Sequence, residues 1–215
     1  AMQRAKQRGN SFSYFAGAAE DASRERLLIE QRMRPAIEKG EFVAHFQPQM
    51  DLGTGKIIGF EALARWMDPD RGMISPAQFI PLAEESGLIV PLGYRILELA
   101  CRQGTAVVAS GPSPIVIAVN LSARQFAEED LAKMILRVLA QENLDPSRLE
   151  LEITESVVMG NVEEAIAKMR ELKSIGVQIS VDDFGTGYSS LQYLKRFPID
   201  KLKVDQSFVR NLLSS

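Results

Sequence analysis

Cysteine and histidine are nearly absent: Cys101 and His45 are single residues in a chain of 215. One cysteine forms no internal disulfide, which fits a reducing compartment. With so few sulfur and imidazole ligands there is no Cys/His cluster to argue for zinc. Neither sign of charge dominates, with 25 basic and 28 acidic residues and a net charge of -3. No basic run argues for bulk nucleic-acid binding. No apolar stretch reaches the roughly 18 residues of a membrane span, so direct membrane insertion by this segment is not expected. Residues 1–9 have no apolar signal-peptide core. There is no short internal repeat and no low-complexity segment. Present instead are 46% hydrophobic and 25% charged residues, the profile of a globular protein large enough to bury a core without disulfides. The first residue is Ala1 rather than Met, which reads as a fragment of a longer protein.

Residues 1–16 read as the end of a helix, AMQRAKQRG, and a short strand, SFSYF, separated by a Gly9-Asn10 stop. Two elements this short bury no core of their own and read as the tail of a preceding domain, over 1–18. Residues 19–40 follow as a charged connector helix with Leu27, Leu28, Met33 and Ile37 as its apolar positions and Gly40 as its stop. The run SRERLLIEQRMR reads as a solvated face, or else as a signalling helix or dimer contact.

From Glu41 strands and helices alternate. Strand-like runs are FVAHFQPQM, KIIGFEALARW, PIVIAVNL, LELEITES, VQISVDDF and KLKVDQSF. Helical runs between them are PAQFIPLAEESG, LGYRILELACRQG, EEDLAKMILRVLAQENL, NVEEAIAKMRELKSIG and YSSLQYLKRF. The first two strands are joined by DLGTG, a link suited to a hairpin. The rest repeats β then α, the pattern of a parallel sheet.

Alternation within the strands decides between an open sheet and a barrel. Leu149, Leu151 and Ile153 share one face, and Glu150, Glu152 and Thr154 the other. Val177, Ile179 and Val181 oppose Gln178, Ser180 and Asp182; Leu202 and Val204 oppose Lys201, Lys203 and Asp205. A sheet covered by helices on both faces is apolar on both. Polarity that grows toward each strand's carboxyl end fits a barrel with its site at that mouth. The expected fold is therefore α/β, a modified TIM-like (β/α) barrel with one antiparallel strand. The 173 residues from Val43 to Ser215 fall below the roughly 200 of a full barrel, so the barrel is expected to be incomplete at the C-terminus.

Glu61, Asn120, Glu152, Asp182, Asp183, Lys203 and Asp205 lie near strand carboxyl ends in five segments. Gathered at one mouth, their carboxylates stay ionised only with cations among them. An all-oxygen donor set suits Mg²⁺ or Mn²⁺. Two metals sharing carboxylates activate water and stabilise in-line displacement at phosphorus. Lys203 is placed to hold the attacking water or to neutralise charge.

The segment GFEALARW, with Glu61-Ala62-Leu63, resembles the signature of the EAL family of cyclic di-GMP phosphodiesterases. The resemblance continues in order through FQPQ, SPAQFIPLAEESGLI, VNLSARQF, LELEITES, DDFGTGYSSL and LKVDQSFV, and covers nearly everything after Glu41, the EAL domain being read over 41–215. It implies a modified barrel and metal-dependent hydrolysis of cyclic di-GMP to linear pGpG in bacterial second-messenger signalling, with a two-metal site of Mg²⁺ or Mn²⁺. It implies metal held by Glu61, Asn120, Glu152, Asp182 and Asp183, with Lys203 beside the water. It implies substrate contacts from Gln47, Leu63, Arg65, Asn120 and Asp205, the guanidinium fork of Arg65 meeting phosphate. Glu155 would brace the loop after DDF, which also links to a homodimer interface. Two family segments, a glutamate-bearing strand like AEGVE and a last strand with a ligand-contacting glutamine, have no counterpart here. The N-terminal AMQRAKQRGNSFSYF resembles the close of a GGDEF-type diguanylate cyclase domain, which implies a tandem GGDEF–EAL signalling protein whose absent N-terminal regions are free to carry a membrane anchor.

Plainer roles compete. Asp182-Asp183 reads as a strand-to-helix turn with a capping acid, Asn120 as a helix cap, and Lys203 as an ion-pair partner of Asp205 or Glu152. Cys101 reads as buried filler, His45 as a rim residue, and Trp66 as packing beside the pocket or stacking on guanine. Gly185 and Gly187 form no phosphate-binding P-loop. Competing functions are a receptor that binds cyclic di-GMP without hydrolysing it and a dimerisation module using the loop at 183–190 and the helix at 19–40.

Overall fold

The computed structural model describes residues 16–110, 115–185 and 194–205. Helix α1 (Ala16–Lys39) comes first. It stops where Gly40 takes a left-handed φ of 76°, with Glu41 N–H donating to Ala36 O at 3.0 Å and Gly40 N–H to Ile37 O at 3.3 Å, the paired closure that glycine permits. Its buried stripe is Ile29, Met33 and Ala36, spaced one and two turns apart. Met33 is the inward position common to the expected set. Leu27 and Leu28 are exposed, Ile37 half-buried. The charged run is more than a solvated face. Arg26 Nη2 donates to both Glu85 carboxylate oxygens at 2.8 and 3.0 Å, Arg32 reaches Asp68 and Asp70, and Glu25 pairs with Arg71. The helix is thus packed and clasped onto the domain it precedes. Residues 1–15, which hold most of the expected 1–18 tail, lie outside the described residues.

Strands β1 (Phe42–Met50) and β2 (Ile57–Asp68) form the expected antiparallel hairpin. Its turn is held by Asp51 Oδ1, which accepts from Thr54 N–H at 2.7 Å. A short strand β3 (Gly72–Ile74), too brief to show in the sequence pattern, pairs with the end of β2. Helix α2 (Pro76–Ser86) starts with proline in its first turn. Helix α3 (Ile89–Ser110) extends beyond the expected run at both ends. Then follow β4 (Val116–Leu121), α4 (Ala123–Phe126), α5 (Leu131–Glu142), β5 (Leu149–Thr154), α6 (Glu155–Gly160), α7 (Val162–Ser174), β6 (Gln178–Phe184) and β7 (Lys201–Val204). Most of the helix expected over 188–197 lies outside the described residues.

The sheet order is β1-β2-β4-β5-β6-β7, with β3 on β2. From β2 to β7 the pairings along this path are parallel. The sheet does not close among the described residues. Its outer face carries Ile117, Val119, Leu149, Leu151, Ile153, Ile179 and Val181, buried in one core with Leu131, Ile135 and Leu172 from the helices. A second core gathers Met33, Phe42, Trp66, Phe79 and Leu92 where α1, α2 and α3 meet the hairpin. The opposite face of β5 and β6 buries Glu150, Glu152 and Ser180. Apolar outside and polar inside is the alternation expected of a barrel wall.

Cys101 is fully buried in the first core. Burial, with the nearby negative charge of Glu142, pushes its thiol up to about 12. Only the thiolate attacks disulfides, so the folded protein at pH 8 is expected to leave an aromatic disulfide reagent unreacted. Denaturant should release one thiol equivalent. Stoichiometric labelling of the native protein within minutes would contradict this packing.

Candidate metal centre and adjoining cleft

Strand register assembles the centre. Glu61 on β2 faces Gln47 across the antiparallel pair and Ala118 across the parallel one. Asn120 pairs in register with Glu152, and Thr154 with Asp182. Residues in register point to one face, so β2, β4, β5 and β6 deliver Glu61, Asn120, Glu152 and Asp182 to neighbouring places. Strand β7 adds Lys203.

These five side chains touch. Asn120 Nδ2 donates to Glu61 Oε1 at 2.8 Å. Lys203 Nζ donates to Asp182 Oδ2 at 2.8 Å, to Glu152 Oε2 at 2.5 Å and to Glu61 Oε2 at 3.3 Å. The rival reading of Asn120 as a cap is not the one observed, because Ser122 caps α4. The rival reading of Lys203 as an ion-pair partner is observed in a fuller form, with three carboxylates rather than one. Among the described residues no group of three or more acidic, histidine or cysteine side chains is arranged to hold an ion. The physical reason is visible: the carboxylates have converged on an ammonium.

The chemistry of the donors nonetheless suits a divalent cation. Three carboxylates share one positive centre, the Lys203 ammonium. Glu152 Oε1 is buried with no hydrogen-bond partner, and an acceptor left this way signals an unfilled bond to an ion or water. The donor set is all oxygen, as Mg²⁺ and Mn²⁺ prefer. Burial pushes Glu152 up to about 7; the hydrogen bond and charge of Lys203 oppose this, and the charges of Glu61 and Asp182 add to it. Burial alone would lower Lys203, but its hydrogen bonds to Asp182 and Glu152 outweigh that and raise it above the ordinary range.

Asp183 sits at the carboxyl end of β6 with a left-handed φ of 55°, a conformation aspartate tolerates better than most residues. Its amide donates to Asp182 Oδ1 at 2.8 Å. Burial, with the negative charges of Asp182 and Asp205, raises its carboxyl. Asp183 is thus within electrostatic reach of Asp182 and Lys203, and Asp205 of Asp183. Glu155, almost fully buried, accepts from Gly185 N–H at 2.7 Å, at the start of the loop after β6. Residues 186–193 of that loop, Gly187 included, lie outside the described residues.

A cleft of about 390 Å³ adjoins the centre, with Leu63, Arg65, Asn120, Ser122, Thr154 and Ser156 in its wall. Asn120 belongs to both, so the cleft opens directly beside the carboxylates. Arg65 Nη1 donates to Ala64 O at 2.8 Å. Gln47 is exposed beside Glu61 and does not line the cleft. His45 is likewise exposed. Trp66 lies on the other face of β2 and is completely buried, stacked on Phe42 at 5.0 Å. It is core, and stacking on a base is closed to it.

Three features escaped the sequence reading. Ser122 and Gln125 fold one cleft wall: Gln125 N–H donates to Ser122 Oγ and Ser122 N–H to Gln125 Oε1, both at 3.2 Å. The Ser-x-x-Gln spacing in VNLSARQF is a capping-box signal that was there to be read. Gly93 on α3 makes room for this pair, since a Cβ there would lie 2.1 Å from the Gln125 amide. Beneath Glu152, Lys201 pairs with the buried Glu150; both lie on the polar strand faces, but no spacing rule couples them.

Comparison with known proteins agrees with the geometry. Residues 30–215 match the model of the EAL domain. The chain is 43% identical over 213 residues to the bifunctional diguanylate cyclase/cyclic di-GMP phosphodiesterase MucR of Pseudomonas aeruginosa, covering 99% of this chain and 31% of the relative. It is 40% identical over 213 residues to the cyclic di-GMP phosphodiesterase PdeR of Escherichia coli, covering 99% and 32%. It therefore spans about a third of these relatives' length. The solved PaMucR phosphodiesterase, a c-di-GMP complex, superposes with a TM-score of 0.83 at 44% identity, covering 87% of this chain and 76% of that one. A match over most of the chain, with the glutamate, asparagine and aspartate of its ordered motifs meeting at one point, makes this chain a member of the EAL domain family.

Proposed function

We propose that this domain hydrolyses one phosphodiester of cyclic di-GMP to linear pGpG with Mg²⁺ or Mn²⁺. The observation that carries the reading is the convergence of Glu61, Glu152 and Asp182 on the Lys203 ammonium beside a cleft holding Arg65, in a chain 43% identical to a named cyclic di-GMP phosphodiesterase. Glu61, Asn120, Glu152 and Asp182 would hold metal, with Asp183 and Asp205 at its edge. When bound, the metal supplies Lewis acidity toward phosphoryl oxygen and lowers the pKa of water. Arg65 and Leu63 orient the ligand, the guanidinium taking a phosphate by its fork. Lys203 neutralises negative charge that grows as the phosphodiester is attacked.

The same reading carries a homodimer through the loop at 183–190 and a cytoplasmic setting within a tandem GGDEF–EAL signalling protein. A buried, reduced Cys101 agrees with that setting. Among the described residues no helix is long and apolar enough to cross a membrane.

The test is chromatography of cyclic di-GMP incubated with the intact protein and Mg²⁺ or Mn²⁺. The expected result is pGpG that disappears on chelation and returns with added metal. Tight binding of cyclic di-GMP with no linear product at any metal concentration would replace hydrolysis by the receptor reading. Absence of binding would leave the dimerisation module.

A further inference from the structure

Lys203 holds the position that a divalent cation needs. Its Nζ lies within 3.3 Å of oxygens from Glu61, Glu152 and Asp182, which come from three different strands. An ammonium has three protons to donate, and here each carboxylate takes one. Metal at the same carboxylates would stand next to that ammonium, and two cations a few ångströms apart repel strongly in a partly buried site. The two cannot share that point. The lysine is tethered through a flexible four-carbon stem, so leaving means swinging, not dissociating. Glu152 Oε1, buried and without a partner, is a lone pair the ammonium does not satisfy and a metal would.

We infer that Lys203 is a built-in competitor for the metal site, plugging it in the metal-free protein and released toward the cleft when a divalent ion enters. The inference rests on the reading of Glu61, Glu152 and Asp182 as metal ligands. It goes beyond a lysine placed beside the attacking water, because it makes metal affinity and lysine position two sides of one equilibrium. Any ligand that draws the ammonium into the cleft, a phosphodiester above all, must then tighten metal binding by the same factor.

The experiment measures Mn²⁺ binding by calorimetry on the intact protein without nucleotide, for wild type, Lys203→Met and Lys203→Arg. Lys203→Met is expected to bind at least tenfold more tightly, because the competing charge is gone. Lys203→Arg, which keeps the charge, is expected to bind no more tightly than wild type. Equal or weaker binding by Lys203→Met overturns the inference. A second measurement needs no variant. Reductive methylation of wild type, read by mass spectrometry, should modify Lys203 slowly in chelator and severalfold faster in saturating Mg²⁺; an unchanged rate overturns the inference equally. Loss of the catalytic reading looks different. In that case neither wild type nor Lys203→Met binds Mn²⁺, and chelation leaves any turnover intact.

Discussion

Glu61→Ala is expected to reduce pGpG formation by at least about 100-fold while leaving the protein folded. The estimate starts from outer-shell residues, whose removal typically costs about 10–100-fold in metal affinity or activity. A direct ligand should cost no less. Glu61 makes the longest of the three contacts to Lys203, 3.3 Å against 2.5 and 2.8 Å, so the ammonium keeps its two closer partners. Asn120 loses an acceptor, but its side chain is exposed and water replaces the bond. The expected loss of stability is therefore under about 1 kcal/mol. Chromatographic product assays and thermal unfolding of the same preparation check both halves. Turnover within a few-fold of wild type would remove Glu61 from the site. A collapsed unfolding transition would make it a structural residue. Glu61→Asp, which keeps the charge but shortens the reach, should fall between wild type and the alanine variant.

How much of this was legible beforehand depended on the kind of signal each residue carries. The face assignments of β5 and β6 were readable because strand alternation has a fixed period, and Glu152 and Asp182 arrived where that period put them. Glu61 and Lys203 are 142 residues apart, and no local pattern joins them; the ordered motifs did. Helix α1 shows the converse. Its apolar residues at 27, 28, 29, 33, 36 and 37 allow more than one stripe. The stripe actually buried was chosen by what α1 packs on, Phe42, Trp66 and Phe79, and by its arginine clasps to Glu85, Asp68 and Asp70. The three-way contact of Lys203 was unreadable for another reason. Carboxylates and a lysine at one mouth leave open which acids the ammonium meets, and only coordinates show that Glu61, Glu152 and Asp182 are the three.

The second large effect belongs to the core. Trp66→Ala is expected to destabilise the domain by about 3–5 kcal/mol, the range for removing a fully buried aromatic side chain. Trp66 is 0% exposed, stacks on Phe42 at 28° and meets Phe79 edge-on with ring centroids 6.1 Å apart. Its Nε1 donates to Glu41 Oε2 at 3.0 Å. The substitution leaves a cavity where α1, α2 and the hairpin meet, and no neighbouring side chain replaces the indole hydrogen bond. At roughly 2–4 °C per kcal/mol for a domain of this size, the Tm should fall by about 10 °C. A fall below about 2 °C would contradict the packing. Trp66→Phe separates the core role from the alternative of base stacking. It keeps most of the ring volume and loses the hydrogen bond, so a smaller loss, about 1–2 kcal/mol, is expected. Trp66 lies on the face of β2 opposite Glu61 and Arg65, so the affinity of this variant for cyclic di-GMP should match wild type. A tenfold loss of affinity without loss of stability would put the indole in the cleft, where the fold leaves it no path.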